Sequence, residues 1–267
     1  VNGESSQYVT AILLSAPFAE QDTVVEVENL NEKPYVEITL GWMKRVGLNF
    51  TASEDLTHFE IPGKQSIRPF EVTIPADFST ATFPLVASAV TGSELQIRNL
   101  DFNDVQGDKA VFSLMERMGM KIIRDGNVTT VRRDGPLVAA ELDLNATPDA
   151  LPAIAVAAAF AKGTTRIYNV AQARIKETDR IACMTRELRR FGVRIEEEPD
   201  GMIIHAGTEV HGAACRSYKD HRIAMALAIA GLGAVGETII RDAECVNVTY
   251  PRFIDDFNAL GARFRVF

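Results

Sequence analysis

Residues 148–166 read Pro148-Asp149-Ala150-Leu151-Pro152-Ala153-Ile154-Ala155-Val156-Ala157-Ala158-Ala159-Phe160-Ala161-Lys162-Gly163-Thr164-Thr165-Arg166. Apolar residues fill almost every position from Ala150 to Ala161, so a helix over this run has no polar face to offer water. The run is shorter than a membrane span and contains Pro152. Such a helix belongs inside a core. Gly163 ends it, and the segment Thr165–Val170 follows as a strand.

The same punctuation recurs outward from this point. Thr91-Gly92-Ser93, Lys162-Gly163-Thr164 and Val235-Gly236-Glu237 each close an Ala-rich run and precede a strand, with glycine spacings of 71 and 73. A second set, Gly47, Gly119, Gly192 and Gly261, closes a more amphipathic helix at spacings of 72, 73 and 69. Two independent markers agree on one period, so the chain is an internal repeat. Each unit reads helix, strand, helix, strand, usually with a further short strand.

The first unit is expected to run helix 6–16, strand 23–27, helix 35–46 and strands 49–53 and 58–61. The second opens with a strand over 70–74, then helix 79–90, strand 94–100, helix 108–118 and strands 121–124 and 128–131. The third runs strand 141–144, helix 150–161, strand 165–170, helix 176–191 and strands 193–197 and 202–205. The fourth runs strand 214–218, helix 221–231, strand 238–241, helix 251–260 and strand 262–266. One buried and one amphipathic helix per unit imply packed helices faced by sheets, an α/β fold.

The formal charge of −8 argues against a general nucleic-acid binder, because phosphate backbones demand a basic surface. Cys183, Cys215 and Cys245 are widely spaced with no CxxC pair. Neither disulfides nor a zinc site is expected, and a reducing cytoplasm fits best. No apolar run is long enough for a membrane helix, and no basic-then-apolar leader opens the chain at Val1.

An acidic chain that handles small anions must gather its cations locally. Arg174-Ile175-Lys176-Glu177-Thr178-Asp179-Arg180 does so, with five charges in seven residues. On a helix Lys176 and Arg180 share a face at i and i+4, with Glu177 beside them. Cations at a helix start suit a phosphate or carboxylate; a solvated first turn with i,i+4 pairing fits the spacing equally well. Ser5, Ser6 and Gln7 stand where a helix begins and read either as caps or as a phosphate cradle. Asp149 reads as a cap or first-turn acid, Tyr35 as a half-buried core residue or pocket wall, and His221 beside Arg222 as a cap or an anion-side group.

Taken together these segments resemble the 5-enolpyruvylshikimate-3-phosphate synthase family. Arg174–Arg180 is similar to its Arg-Val-Lys-Glu-(Thr/Ser)-Asp-Arg signature, and Ser5-Ser6-Gln7-Tyr8 to its Ser-Ser-Gln-(Tyr/Phe). Lys33-Pro34-Tyr35, Pro148-Asp149-Ala150 and Asp220-His221-Arg222-Ile223-Ala224-Met225 match three further motifs in the right order. The resemblance implies the inside-out α/β barrel of the enolpyruvyl transferases, built from repeated βαβαββ-type units. It makes residues 1–68 the last part of one domain and residues 69–267 most of the other, in three units.

It further implies transfer of the enolpyruvyl group of phosphoenolpyruvate to the 5-hydroxyl of shikimate 3-phosphate, with phosphate released and no metal or organic cofactor. Ser5, Ser6, Gln7, Tyr35, Asp149, Gln172 and Lys176 would then hold shikimate 3-phosphate. Gln7, Arg180, His221 and Arg222 would hold phosphoenolpyruvate. Asp149 would serve as base, Lys176 would contact the reacting hydroxyl or the phosphate, and Glu177 would exchange the methylene proton. Three departures stand against full activity. Val248 replaces an expected Lys, Glu32 replaces a Ser of the shikimate phosphate site, and the family's N-terminal phosphate-binding segments are not in this chain. It is therefore expected to need that segment for a complete site and to be a monomer once completed. The rival readings are the UDP-N-acetylglucosamine enolpyruvyl transferase and a non-catalytic anion-binding repeat module.

Overall fold

A computed structural model describes residues 1–207 and 209–267. They fold as two units. The first comprises Val1–Pro75, Asp101–Asp108 and Asn145–Thr147; the second comprises Ala76–Leu100, Lys109–Leu144 and Pro148–Phe267.

In the first unit, helices α1 (Ser6–Ser15) and α2 (Lys33–Arg45) alternate with strands β1 (Thr23–Glu26), β2 (Thr51–Ala52) and β3 (His58–Ile61). The strands form an antiparallel sheet in the order β1-β3-β2. Val9 and Leu13 of α1 pack in one core with Val36, Leu40 and Met43 of α2 and Val25, Phe59 and Ile61 of the sheet. Those residues recur at helical spacing on α1 and α2 and at period two on β3, which is why each element buries one face.

The second unit holds α3 (Phe78–Thr91), β4 (Leu95–Arg98), α4 (Ala110–Arg117), β5 (Met120–Asp125), β6 (Val128–Arg133) and β7 (Glu141–Asp143). It continues with α5 (Leu151–Ala159), β8 (Gly163–Tyr168), α6 (Arg180–Arg190), β9 (Arg194–Glu198), β10 (Gly201–Ala206), β11 (Ala214–Arg216), α7 (His221–Gly233), β12 (Ile239–Arg241) and α8 (Phe253–Ala259). The apolar helices α3, α5 and α7 pack pairwise on one another, and every residue of α5 is buried. Helix α6 is two-faced, burying Ile181, Met184 and Leu188 while Arg190 stays half exposed.

The repeat is explicit in the sheets. The orders β4-β6-β5 and β8-β10-β9 repeat β1-β3-β2, with β7 added in parallel to β8. The fourth set is the parallel pair β11-β12 alone, and among the described residues the edge of β12 that faces away from β11 takes no strand. No sheet closes on itself among the described residues. All seven marker glycines lie at positive φ, between 71° and 107°, which is why side-chain-bearing residues are disfavoured at those stops.

Three expected elements differ. No strand forms over 70–74, because the alternation leaves Phe70, Val72 and Ile74 exposed and buries neither face. No strand forms over 262–266 either. There the Asn258 side chain pairs with the backbone of Phe264 in both directions, at 2.8 and 3.1 Å, and takes the place of a neighbouring strand. Finally, the helix expected from Lys176 begins only at Arg180. Residues 171–175 form a 3₁₀ turn, Lys176 is extended, and Asp179 caps α6 by accepting the Ala182 N–H at 2.9 Å. Lys176 and Arg180 therefore do not share a helical face. Among the described residues no helix is long and apolar enough to cross a membrane.

Candidate functional site

The first turns of α3, α5, α6 and α7 bring their polar residues together within the second unit. At the centre lies Arg180, the first residue of α6 and only 1% exposed. Its Nε donates to Asp220 at 2.8 Å, its Nη1 to Asp149 at 2.8 Å, and its Nη2 to Glu177 at 2.5 Å. A guanidinium presents five N–H groups in a fixed fork, so one Arg can tie together carboxylates from three segments.

Each carboxylate arrives by a different local route. Asp220 is fully buried and caps α7, with Oδ1 accepting the Arg222 N–H at 2.9 Å, while Oδ2 takes Arg180 and the Thr178 hydroxyl. Asp149 sits in the 3₁₀ turn Pro148–Ala150 ahead of α5, which has no side-chain cap. Its carboxylate is thus available to bridge Arg180 and Arg222, the latter at 3.1 Å. Arg222 also donates to Ser79 Oγ on α3 at 2.7 Å. Glu177 is half exposed and is the solvent-facing acid of the group.

The charges act on one another as this geometry requires. Burial pushes the Asp149 carboxyl up, but Arg222, Arg180 and Lys176 together outweigh it and hold the group below its ordinary value. Burial alone would lower Arg180; Asp220 and Asp149 reverse this and keep it charged. His221 is buried, and burial followed by the adjacent Arg222 lowers its pKa, so it is neutral near pH 7. Burial pushes the Cys215 thiol up to about 12, which leaves it inert as a nucleophile. Among the described residues no group of His, Cys, Asp and Glu is arranged to hold a metal ion.

Of the sequence-derived candidates, Asp149, Glu177, Arg180 and Arg222 meet in direct contact, and His221 neighbours them. Lys176 is partly buried and close enough to influence Asp149. Gln172 is buried in the 3₁₀ turn. Ser5, Ser6, Gln7 and Tyr35 belong to the first unit. Ser5 caps α1 by accepting the Gln7 N–H. Tyr35 donates its hydroxyl to Asp108 at 3.2 Å. Ser6 is buried, and its hydroxyl and N–H both donate to Glu32, at 2.7 and 3.3 Å. Val248 is 73% exposed at the end of a 3₁₀ turn.

Sequence reasoning missed Ser79 and Thr178. A signal for Ser79 was present: Asp77, Asp149 and Asp220 recur at spacings of 72 and 71, so each unit carries an acid at the start of its buried helix. Asp77 caps α3 through the Ser79 and Thr80 N–H groups, next to the hydroxyl that Arg222 uses.

Fold and site together define a repeat-built, mixed α/β protein with an arginine–carboxylate cluster at its helix starts. The chain belongs to the EPSP synthase (3-phosphoshikimate 1-carboxyvinyltransferase) family, matched over residues 2–257. It is 50% identical over 262 residues to a 3-phosphoshikimate 1-carboxyvinyltransferase of Ruminiclostridium cellulolyticum, which covers 98% of this chain and 61% of that relative. A relative of the same name from Acetivibrio thermocellus is 48% identical over 98% of this chain and 61% of its own length. The solved EPSP synthase of Acinetobacter baumannii superposes with a TM-score of 0.80 at 25% identity, over 96% of this chain and 60% of that one. The chain thus spans about 61% of the length of these curated relatives.

Proposed function

We propose that this chain supplies most of the catalytic apparatus of an enolpyruvyl transferase that joins phosphoenolpyruvate to shikimate 3-phosphate. The observation that carries the reading is the cluster of Asp149, Glu177, Arg180 and Arg222 at the starts of α5, α6 and α7, drawn from the third and fourth repeat units, in a chain of this family.

In this reading Asp149, ionised at neutral pH, takes the proton of the 5-hydroxyl as its oxygen bonds to the substituted carbon of the enolpyruvyl group. Glu177, open to solvent and so able to take up a proton from water, delivers it to the methylene carbon and takes one back from the resulting methyl group as the tetrahedral intermediate expels phosphate, which leaves with the proton that Asp149 took. Lys176 steadies the reacting hydroxyl or the shikimate phosphate. Arg222, neutral His221, Arg180 and Gln7 attend phosphoenolpyruvate. Arg180 also holds Asp149 and Glu177 in place through its hydrogen bonds to them. Ser5, Ser6, Gln7, Tyr35 and Gln172 attend shikimate 3-phosphate, with Glu32 competing for Ser6. The finer architecture proposed is the inside-out α/β barrel, with residues 1–68 in one domain and 69–267 in the other. The setting proposed is the cytoplasm, as a monomer needing no cofactor.

Phosphate release from phosphoenolpyruvate plus shikimate 3-phosphate tests the proposal. It is measured on the chain alone and on the chain supplemented with the part of the relatives it does not match. Turnover in the supplemented form, lost in Glu177→Gln, is expected. Turnover with UDP-N-acetylglucosamine instead, or binding of both anions without any turnover, would overturn it.

A further inference from the structure

The turn Ser217-Tyr218-Lys219 joins β11 to α7 and delivers Asp220, His221 and Arg222 to the cluster. Its backbone is one that its residues do not favour. Tyr218 and Lys219 are consecutive non-glycine residues in the left-handed region, at φ 57° and 62°. Such a turn persists only where its surroundings over-determine it. Part of the restraint is Ser217, fully buried, whose hydroxyl donates to the Asp242 carbonyl at 2.7 Å and accepts the Lys219 N–H at 3.0 Å.

The other part comes from α6. Glu187 lies seven residues after Arg180, on the same face of that helix, and is fully buried. Its Oε1 accepts the Tyr218 hydroxyl at 2.5 Å; its Oε2 accepts the Arg216 N–H at 3.2 Å and faces Arg190 Nε at 3.2 Å. A carboxylate out of water is costly unless donors surround it, and here Arg216 at the end of β11 and Tyr218 in the turn that follows supply two of them. Helix α6 therefore grips that connection twice, through Arg180 on Asp220 and through Glu187 on Arg216 and Tyr218.

We propose that Glu187 and Tyr218 are positioning residues, whose hydrogen bond locks the left-handed turn and so fixes Asp220 against Arg180 and the His221–Arg222 pair at the start of α7. The catalytic consequence rests on the function proposed above, but the positioning is readable without turnover.

Nitrogen-15 NMR of the four histidines, titrated in the full chain with His221→Gln to assign the signal, tests it alongside urea unfolding. His221 faces Arg222, Asp220, Glu177 and Arg180, and in the wild type it titrates below its ordinary value. Tyr218→Phe keeps the ring beside Arg186 and removes only the hydroxyl. Its His221 midpoint is expected to rise towards 6.5 as burial and the Arg222 contact loosen. Glu187→Ala should shift it further and Glu187→Gln less; if Glu187→Ala does not fold, Tyr218→Phe decides alone. A folded Tyr218→Phe variant with a lower urea midpoint but an unmoved His221 titration would overturn the proposal. In the supplemented assay Tyr218→Phe should lower kcat several-fold. If the wild type itself turns nothing over, the functional reading fails and the titration still decides this one.

Discussion

Arg180 is the residue on which the site's energetics turn, because its charge is buried and balanced entirely from within. Removing one partner leaves a charge without compensation, whereas the intact network roughly cancels its own desolvation. Asp220→Ala is therefore expected to cost about 3–5 kcal/mol in urea unfolding, including the lost cap of α7. Arg180→Lys should also destabilise, since one ammonium cannot span three carboxylates. Glu177→Gln is different: the side chain is half exposed and screened, so under about 1 kcal/mol of stability should be lost while turnover in the supplemented assay disappears. The two titrating groups set distinct pH windows. His221 has a folded pKa below its unfolded 6.5, so the unfolded chain binds the proton first and stability falls as pH drops below about 6.5. Asp149 is also depressed, and its contribution is present above 3.8 and is lost as pH falls through its lower folded value. His221→Gln should flatten the first slope and leave the second, as read from urea midpoints between pH 7 and pH 3.

Among the elements, α5 and α6 make opposite demands. Every side chain of α5 is enclosed by its neighbours, so Ala157→Leu has no room and should cost about 1–3 kcal/mol by urea unfolding. Helix α6 depends on its first turn, where Asp179 both caps the helix and holds Arg174 at 2.7 Å. What sequence could reveal follows the same division. The buried helices and their glycine stops were legible because an all-apolar run and a positive-φ residue are local signatures. The start of α6 was not, because a run of alternating charges resembles a first turn until Asp179 claims the cap. The strands expected at 70–74 and 262–266 failed for a further reason: alternation states which face a strand would bury, but not whether a surface exists to bury it against. Likewise, charge spacing marked Arg180 as an anion site, yet its partners Asp149 and Asp220 lie 31 and 40 residues away. The Ser6–Glu32 pair, 26 residues apart, carried no local sign at all.

For the molecule as a whole, the repeat accounts for both architecture and site. Copies of one helix–sheet motif bring the same end of each buried helix to one place, so acids at equivalent positions, Asp149 and Asp220, meet on a single arginine. Family membership over residues 2–257 accords with that arrangement, and the chain matches its relatives over about 61% of their length. The pair β11-β12 has one further effect. The outward rim of β12 offers backbone donors and acceptors at the position where β8 receives β10, and Ile239 is 39% exposed. Natural sheets blunt such rims with charge, since an unclaimed one invites a visiting chain to zip onto it. Here the rim is three residues long and ends on the exposed Arg241, so it is already blunted: sedimentation velocity on the concentrated protein should report a monomer, and Arg241→Val should bring on self-association.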